Sequence, residues 1–294
     1  MTMKPRTSMK RRWLQWLTSG AGRIAAKPLY QSVQKAQLRR ERWLDRHQTP
    51  VTSEAIRQVT AIVKTFERPH CIQRLLESIE RMYPTLQIIV ADDSKTPFHS
   101  NNANVKVLHL PYNVGLSAGR TEALALVQTP YFLLLDDDFV FYRKTQILSL
   151  IRWLDEHPQV DIVGGEVVNL PEYQVPDYRQ AGLLPTSSKP LYPDGALIDG
   201  LRVYSKIANF YLGRTQTVQK VGWNADLKLA EHTDFFTRAV GVLTTVMDPS
   251  MKVLHAKERF DRIHPDRAKN LKESTQLLRT LYTSRKAKAK DSSK

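Results

Sequence analysis

Three consecutive carboxylates interrupt an apolar run in the middle of the chain. The run reads YFLLLDDDFVF over residues 131–141, and Asp136, Asp137 and Asp138 follow five residues that are typical of a buried strand. Adjacent carboxylates repel one another, and taking them out of water is costly unless a cation compensates them. The pattern therefore indicates a site that holds a cation at the end of a strand.

A second pair of acids, Asp92 and Asp93, ends the apolar run LQIIVADDS. In an open α/β sheet, ligands bind outside the carboxyl ends of the strands, so we expect both acidic groups at one edge. Carboxylate oxygens suit Mg²⁺ or Mn²⁺, and such a metal would stabilise a departing diphosphate. No GxxxxGK[ST] occurs and no GxGxxG follows the first predicted strand, which argues against a P-loop NTPase and a dinucleotide-binding fold.

The elements that must position these acids alternate between apolar runs and helical patterns. Predicted strands cover 59–66, 86–94, 105–110, 131–138 and 160–170, and predicted helices cover 69–84, 117–128 and 143–158. This alternation predicts an α/β fold with a mostly parallel central sheet and flanking helices. Beyond 170 we expect long loops, a helix near EHTDFF, strands near TTVMD and MKVLHA, and a terminal helix over 270–285.

The charge is concentrated at the two ends of the chain. The net charge is +15, of which residues 1–50 carry +10 and residues 252–294 carry +8, while residues 51–251 carry −3. A nucleic-acid enzyme more often carries its basic charge around the active groove, so we expect no nucleic-acid partner. We expect three parts: a basic amphipathic N-terminal extension over 1–50, a catalytic domain over 51–285 and a disordered basic tail over 286–294.

The N-terminal extension has two interpretations. On a helix, Trp13, Leu14, Trp16 and Leu17 share one face opposite Arg11 and Arg12, a pattern that suits a membrane interface. The alternative is a helix that packs on its own domain with its basic residues solvated. No stretch of the segment approaches the roughly 18–20 apolar residues that a membrane span needs. We therefore expect a cytoplasmic protein, peripheral on the inner face of the membrane.

Taken together, the stretches TFERP, IIVADDS, NVGLSAGRTEAL and YFLLLDDDF resemble the GT-A glycosyltransferases of the family 2 type. VGGEV, NFYLGRT and EHTDFF are closer still to the β1,4-N-acetylgalactosaminyltransferase group. The resemblance covers about residues 58–257 and implies a GT-A fold and a UDP-sugar donor. It also implies transfer with inversion, helped by Mn²⁺ or Mg²⁺, to a saccharide or glycolipid acceptor.

The resemblance implies a role for each matching residue. Asp93 resembles the acid that contacts the uracil, Arg120 could approach the base, ribose or diphosphate, and Asp137 joins the donor site. The first nucleotide loop comprises Thr65, Phe66, Glu67 and Arg68.

Asp136 and Asp138 resemble the paired acids of the metal site. Asp138 is the nearer to the metal, and Asp136 lies toward the ribose or a bound water. His255, in VLHA, matches the late histidine that completes this site.

Inverting transfer also needs a base that deprotonates the acceptor hydroxyl. EHTDFF supplies Glu231 and Asp234, three residues apart and able to share one face of a helix. The related group has its acid directly before the two aromatic residues, which selects Asp234 and leaves Glu231 as the reserve.

Two other functions remain open at this stage. The first is a sugar-phosphate nucleotidyltransferase of the same fold, although those enzymes usually carry a glycine-rich basic loop after the first strand, and KTFERPHC has no glycine. The second is a non-catalytic module that binds a membrane. The leading hypothesis is a glycosyltransferase whose acceptor lies at an anionic membrane surface, such as a lipid-linked saccharide or a lipopolysaccharide core.

Overall fold

The computed structural model describes residues 20–177, 182–258, 260 and 266–291; side chains are described from residue 26, and in the last helix over 269–283. The helices are α1 (Gly20–Leu44), α2 (Pro69–Met82), α3 (Leu116–Ala125), α4 (Ile147–Glu156), α5 (Thr215–Val221), α6 (Glu231–Ala239) and α7 (Asp266–Asp291), with a 3₁₀ turn at Glu54–Gln58. The strands are β1 (Val59–Thr65), β2 (Gln87–Asp92), β3 (Val105–His109), β4 (Tyr131–Asp136), β5 (Phe139–Val140), β6 (Ile162–Asn169), β7 (Leu197–Ile198), β8 (Leu201–Val203), β9 (Tyr211–Arg214) and β10 (Thr245–His255).

One mixed sheet runs through the molecule in the order β3-β2-β1-β4-β9-β6-β10-β8-β7, with β5 added alongside β10. The first four strands of this order are parallel, as are β6 and β10. Strand β9 enters antiparallel between β4 and β6. The predicted α/β class with a mostly parallel sheet is confirmed, and the helices lie on its two faces.

The register of the parallel strands brings the acidic strand ends together. Thr65 at the end of β1 is paired with Asp92 of β2, and the preceding Lys64 is paired with Asp136 of β4. The strands are apolar and buried along almost their whole length because helices cover both faces of the sheet. The side chains that can do chemistry therefore lie together at one edge of the sheet, where the apolar strands end.

Helix α1 packs on the domain. The Tyr30 hydroxyl donates to the Lys257 carbonyl at 2.8 Å, and Gln37 Nε2 donates to the Pro171 carbonyl at 2.7 Å. Arg143 pairs with Glu41 at 2.5 Å and with Asp45 at 3.2 Å. For residues 26–45 the packing interpretation therefore holds, whereas Trp13 and Trp16 lie outside the described residues.

Two elements differ from the sequence predictions. TTVMD and MKVLHA form one strand, β10, with an irregularity between Met247 and Lys252 that lets Pro249 pass without breaking the pairing to β6. Helix α7 continues to Asp291, into the segment predicted to be a disordered tail, because Ala and Lys favour helix. Residues 292–294 lie outside the described part. No helix among the described residues is long and apolar enough to cross a bilayer.

Candidate active site

Arg68, in the loop that follows β1, binds two of the three consecutive carboxylates. Its guanidinium donates to Asp137 and, at 3.1 Å, to Asp138 Oδ2. The Thr65 hydroxyl donates to the other oxygen of Asp137 at 2.8 Å. Burial raises the pKa of Asp137, and the Arg68 charge only partly opposes this shift. The TFERP loop thus contacts the acidic triplet, chiefly through the buried Asp137.

Asp138 faces His255 on the opposite side from Arg68. His255 Nε2 lies 3.2 Å from Asp138 Oδ1, and His255 Nδ1 lies 2.7 Å from Asn169 Oδ1. Burial alone would raise the pKa of Asp138, but the hydrogen bond and charge of His255, with Arg68, outweigh it and lower that pKa. Because an amide oxygen can only accept, Nδ1 donates to Asn169, and this bond points Nε2 at Asp138.

Asp136 does not complete a three-ligand cluster with Asp138 and His255. Among the described residues, the one group of three ligand atoms mutually within 4.8 Å is His70, Cys71 and Glu258. Asp136 instead accepts from Arg120 NH2 at 2.7 Å, and its side chain is 34% exposed. The sharing of a metal by Asp136, Asp138 and His255 stays a prediction, and in this structure Arg120 engages Asp136 instead.

Arg120 is buried and bridges two carboxylates. NH1 donates to Glu231 Oε1 at 2.6 Å while NH2 donates to Asp136, and the side chain is 1% exposed. The two acids outweigh the effect of burial and raise the pKa of Arg120. The guanidinium of Arg120 joins the end of β4 to the start of α6. Because these two bonds use its terminal nitrogens, few N–H groups of Arg120 are left to bind a nucleotide.

The two candidate bases on α6 have different environments. Asp234 accepts from the Tyr282 hydroxyl at 2.8 Å and from Arg238 Nε at 2.8 Å, and it is 2% exposed. Glu231 uses Oε1 for Arg120, and its Oε2 accepts no hydrogen bond in the described part of the chain. Asp234 therefore fixes α6 to the terminal helix, and Glu231, which is 3% exposed, faces the acidic strand ends. The choice of base between them stays a prediction.

Asp93 forms a second anchor at the end of β2. Its Oδ2 accepts the Gly115 amide at 3.1 Å, and its Oδ1 is paired with Lys64. Lys64 also donates to the Thr65 carbonyl at 2.7 Å, and burial lowers the pKa of Lys64 against the pull of Asp93. A Cβ at Gly119 would clash with the Lys64 side chain, so the glycine in GLSAGR makes room for this lysine.

The remaining loop residues link the first two strand ends. Glu67 has a left-handed φ of 56°, its amide donates to Ser94 Oγ at 2.7 Å, and its carboxylate accepts the Lys95 amide at 2.7 Å. The Phe66 ring lies 5.7 Å from that of Tyr112. Glu67 therefore ties two loops together, while Phe66 and Tyr112 offer aromatic surface beside Asp93.

Three residues of the site escaped the sequence analysis. Lys64 carried a usable signal, because a lysine inside the apolar run VTAIVKTF must be paired when buried. Asn169 and Tyr282 carried none, since their roles depend on strands and helices that meet only in the fold.

An α/β sheet with acids gathered at its strand ends, an arginine-held acidic triplet and a histidine beside it defines a GT-A type transferase. The chain belongs to glycosyl transferase family 2, whose model matches residues 60–222. This membership favours the glycosyltransferase hypothesis over the nucleotidyltransferase alternative.

Curated relatives point the same way. The chain is 34% identical over 200 residues to beta-1,4 N-acetylgalactosaminyltransferase 2 of Mus musculus. It is 32% identical over 210 residues to beta-1,4 N-acetylgalactosaminyltransferase 1 of Homo sapiens. The matches cover 67% and 68% of this chain but 39% of each relative.

Solved structures show the same fold at low identity. Staphylococcus aureus TarS 1-349 in complex with UDP superposes with a TM-score of 0.52 at 19% identity, covering 67% of this chain and 59% of that one. GalNAc-T7 with UDP, GalNAc and Mn²⁺ gives a TM-score of 0.50 at 14% identity, over 67% and 43% of the two chains.

Proposed function

We propose that this chain transfers a sugar, an N-acetylhexosamine or another hexose, from a UDP-sugar to a hydroxyl of a saccharide or glycolipid acceptor, with inversion. The donor class is supported by the relatives named for N-acetylgalactosamine transfer and by the UDP held in structures of the same fold. The proposal rests on one observation: at the strand ends, His255 contacts Asp138 through one ring nitrogen and Asn169 through the other.

The residues present fit a divalent cation at Asp138 and His255. Asp138 has a lowered pKa, and the Asn169 hydrogen bond turns His255 Nε2 toward it, the arrangement by which proteins orient a metal-ligating histidine. Mn²⁺ or Mg²⁺ held there would neutralise charge that develops on a departing diphosphate. In this proposal Asp136 helps to position the site by accepting a hydrogen bond from Arg120.

The nucleotide is placed by the β1 and β2 ends. Asp93, held by Lys64 and the Gly115 amide, presents a fixed acceptor edge for the uracil N–H. Phe66 and Tyr112 lie beside it as an aromatic surface for the base. Thr65 and Arg68 keep the acidic triplet in position beneath the phosphates.

We assign the general base to Glu231 in preference to Asp234. Arg120 fixes one Glu231 oxygen and so orients the other, which is free to accept the proton of an acceptor hydroxyl. The same guanidinium connects Glu231 to Asp136, so the base and the donor-side acid are held as one unit. As Glu231 takes the hydroxyl proton, the acceptor oxygen would bond to the anomeric carbon from the face opposite the diphosphate, and the bond from that carbon to the phosphate oxygen would break and release UDP.

The acceptor is proposed to lie at an anionic membrane surface, as in the synthesis of cell-surface polysaccharide or lipopolysaccharide. The support is the excess positive charge of residues 1–50 and 252–294 beside a near-neutral body. The cytoplasmic face of a membrane stays a prediction.

The proposed function is tested by UDP release over a panel of UDP-sugars, with Mn²⁺ and with EDTA. Slow donor hydrolysis that is selective for one sugar, needs the metal and disappears in Asp138→Ala supports it. Full activity of Asp138→Ala in EDTA would contradict the metal-assisted mechanism, and no release from any UDP-sugar would contradict the donor class.

A further inference from the structure

Helix α1 uses one of its faces to pack on the domain. Tyr30, Gln34 and Gln37 donate to carbonyls of Lys257 and Pro171, and Glu41 pairs with Arg143. These positions recur at intervals of three and four residues, so they form a single stripe. The rest of the helix circumference faces outward.

The outward part carries two separate stripes. The first is mainly apolar and comprises Leu29, Val33, Ala36 and Trp43, with the exposed Arg40 among them; Leu29 is 68% exposed, Val33 41% and Trp43 59%. The second is basic, is exposed along its whole length, and comprises Lys35, Arg39, Arg42 and Arg46. At 100° per residue, the inner, apolar and basic stripes are about 120° apart. A helix with this pattern has a second apolar face that the domain does not cover.

The basic stripe joins Arg81, at the end of α2, to line a pocket of about 450 Å³. Burial and the nearby charge of Arg42 lower the pKa of Arg81. Arg39, Arg42, Arg46 and Arg81 make no ion pair within 4.0 Å with a carboxylate in the described part of the chain. Asp45, which also lines the pocket, is paired with Arg143.

The pocket is distant from the candidate active site. Arg68 precedes α2 and Arg81 lies in its last turn, so the two are separated by about 20 Å at 1.5 Å per residue. Trp43 forms the rim, with the Arg46 guanidinium 3.8 Å above its ring. Arginine and tryptophan side by side, one charged and one amphipathic, suit the boundary between lipid head groups and acyl chains.

We propose that α1 docks this protein on an anionic phospholipid surface. Leu29, Val33 and Trp43 enter the head-group boundary, while Arg39, Arg42, Arg46 and Arg81 bind the lipid phosphates. Charge complementarity selects this occupant: four guanidinium groups without a carboxylate ion pair repel a basic partner, and a purely polar polyanion such as nucleic acid would leave the adjacent apolar residues exposed to water. The docking surface does not depend on the proposed donor or acceptor.

The test is co-sedimentation of the full chain with vesicles of phosphatidylcholine alone and of phosphatidylcholine with phosphatidylglycerol. The variant Arg39→Gln/Arg42→Gln/Arg81→Gln removes three charges from the pocket. Its matched control, Lys106→Gln/Arg152→Gln/Lys220→Gln, removes three exposed charges from the near-neutral body. We expect the pocket variant to partition at least tenfold less onto the anionic vesicles and the control to change less than twofold.

A second variant tests the apolar stripe. Trp43→Ser should weaken partition onto the anionic vesicles severalfold at high salt, where head-group attraction is screened. Equal losses in the pocket variant and the control would overturn the proposal, because net charge alone would then explain binding. Binding of the pocket variant at the wild-type level would overturn it as well. UDP-sugar hydrolysis, measured on the same samples, should be unchanged, which separates a failure here from a failure of the proposed function.

Discussion

Asn169 and Asp138 hold His255 between them from opposite sides of its ring. Asn169 Oδ1 lies 2.7 Å from Nδ1, and Asp138 Oδ1 lies 3.2 Å from Nε2. The orientation of the ring is thereby fixed by two residues from different strand ends, β6 and β4. Ala256, next to the histidine, adds a backbone bond to the Asp138 carbonyl at 2.9 Å.

Asn169→Ala is expected to weaken Mn²⁺ binding about 10- to 100-fold, since loss of an outer hydrogen bond to a ligating histidine has effects of this size. Electron paramagnetic resonance titration of free Mn²⁺ measures the change. Asn104→Ala, which removes a bond to the Pro84 carbonyl away from the site, serves as the control. Identical Mn²⁺ affinities in wild type and Asn169→Ala would show that His255 needs no partner.

Glu231→Gln is expected to lower the transfer rate by roughly 10²–10⁴ with UDP binding retained, the usual contribution of a general base. Asp234→Asn should instead lower the free energy of unfolding by about 1–3 kcal/mol, because its partners Tyr282 and Arg238 lose a charged acceptor. Single-turnover kinetics and urea unfolding of both variants measure the two effects. A rate loss confined to Asp234→Asn would restore the assignment favoured by the sequence.

Lys64→Met is expected to destabilise the fold by about 3–5 kcal/mol, because it leaves Asp93 buried without its cation. The double variant Lys64→Met/Asp93→Leu removes both charges and should recover most of this stability. UDP binding should be weak in both, since neither presents an ordered Asp93 carboxylate. Calorimetry measures stability and affinity on the same samples, and tight UDP binding by the double variant would exclude Asp93 from the nucleotide site.

His232 should make the fold less stable in mild acid. It contacts the Ile207 carbonyl at 2.5 Å through Nε2, and burial, with the nearby Lys206, lowers its pKa from 6.5 to about 3. Below pH 6.5 the unfolded chain binds a proton that the folded chain excludes, so stability falls as the pH falls toward 3. Between pH 7 and 5.5 this contribution is about 1 kcal/mol.

The measurement for His232 is the difference between wild type and His232→Gln in urea unfolding at the two pH values. Glutamine keeps a donor for the Ile207 carbonyl but does not titrate. His47, which is exposed, gives the control variant His47→Gln. A wild-type pH dependence that persists in His232→Gln would assign the effect to other groups.

The strand ends were predictable because burial and charge conflict in the sequence itself. An apolar run that ends in DDD or ADD can place those acids only where the strand leaves the core. The choice between Glu231 and Asp234 was not predictable. The two acids lie within one turn of the same helix, and what separates them is Tyr282, which lies 48 residues beyond Asp234.

The order and direction of the strands beyond β4 in the sheet could not be predicted from local sequence patterns either. Strand β9 is four residues long and antiparallel, and its place between β4 and β6 depends on pairings across more than 40 residues. A short apolar run such as FYLG shows no period that distinguishes strand direction.

The bond between Tyr282 and Asp234 also sets an order of events during synthesis. Leu227, just before α6, packs with Leu278 and Tyr282, and the Leu229 amide donates to Ser274 Oγ at 3.2 Å. Helix α6 leaves the ribosome before these partners have been translated. At 5–20 residues per second, the delay for Tyr282 is about 2–10 s. During that interval Asp234 lacks the tyrosine that caps it, so the helix that carries Glu231 reaches its final position only after α7 has been made.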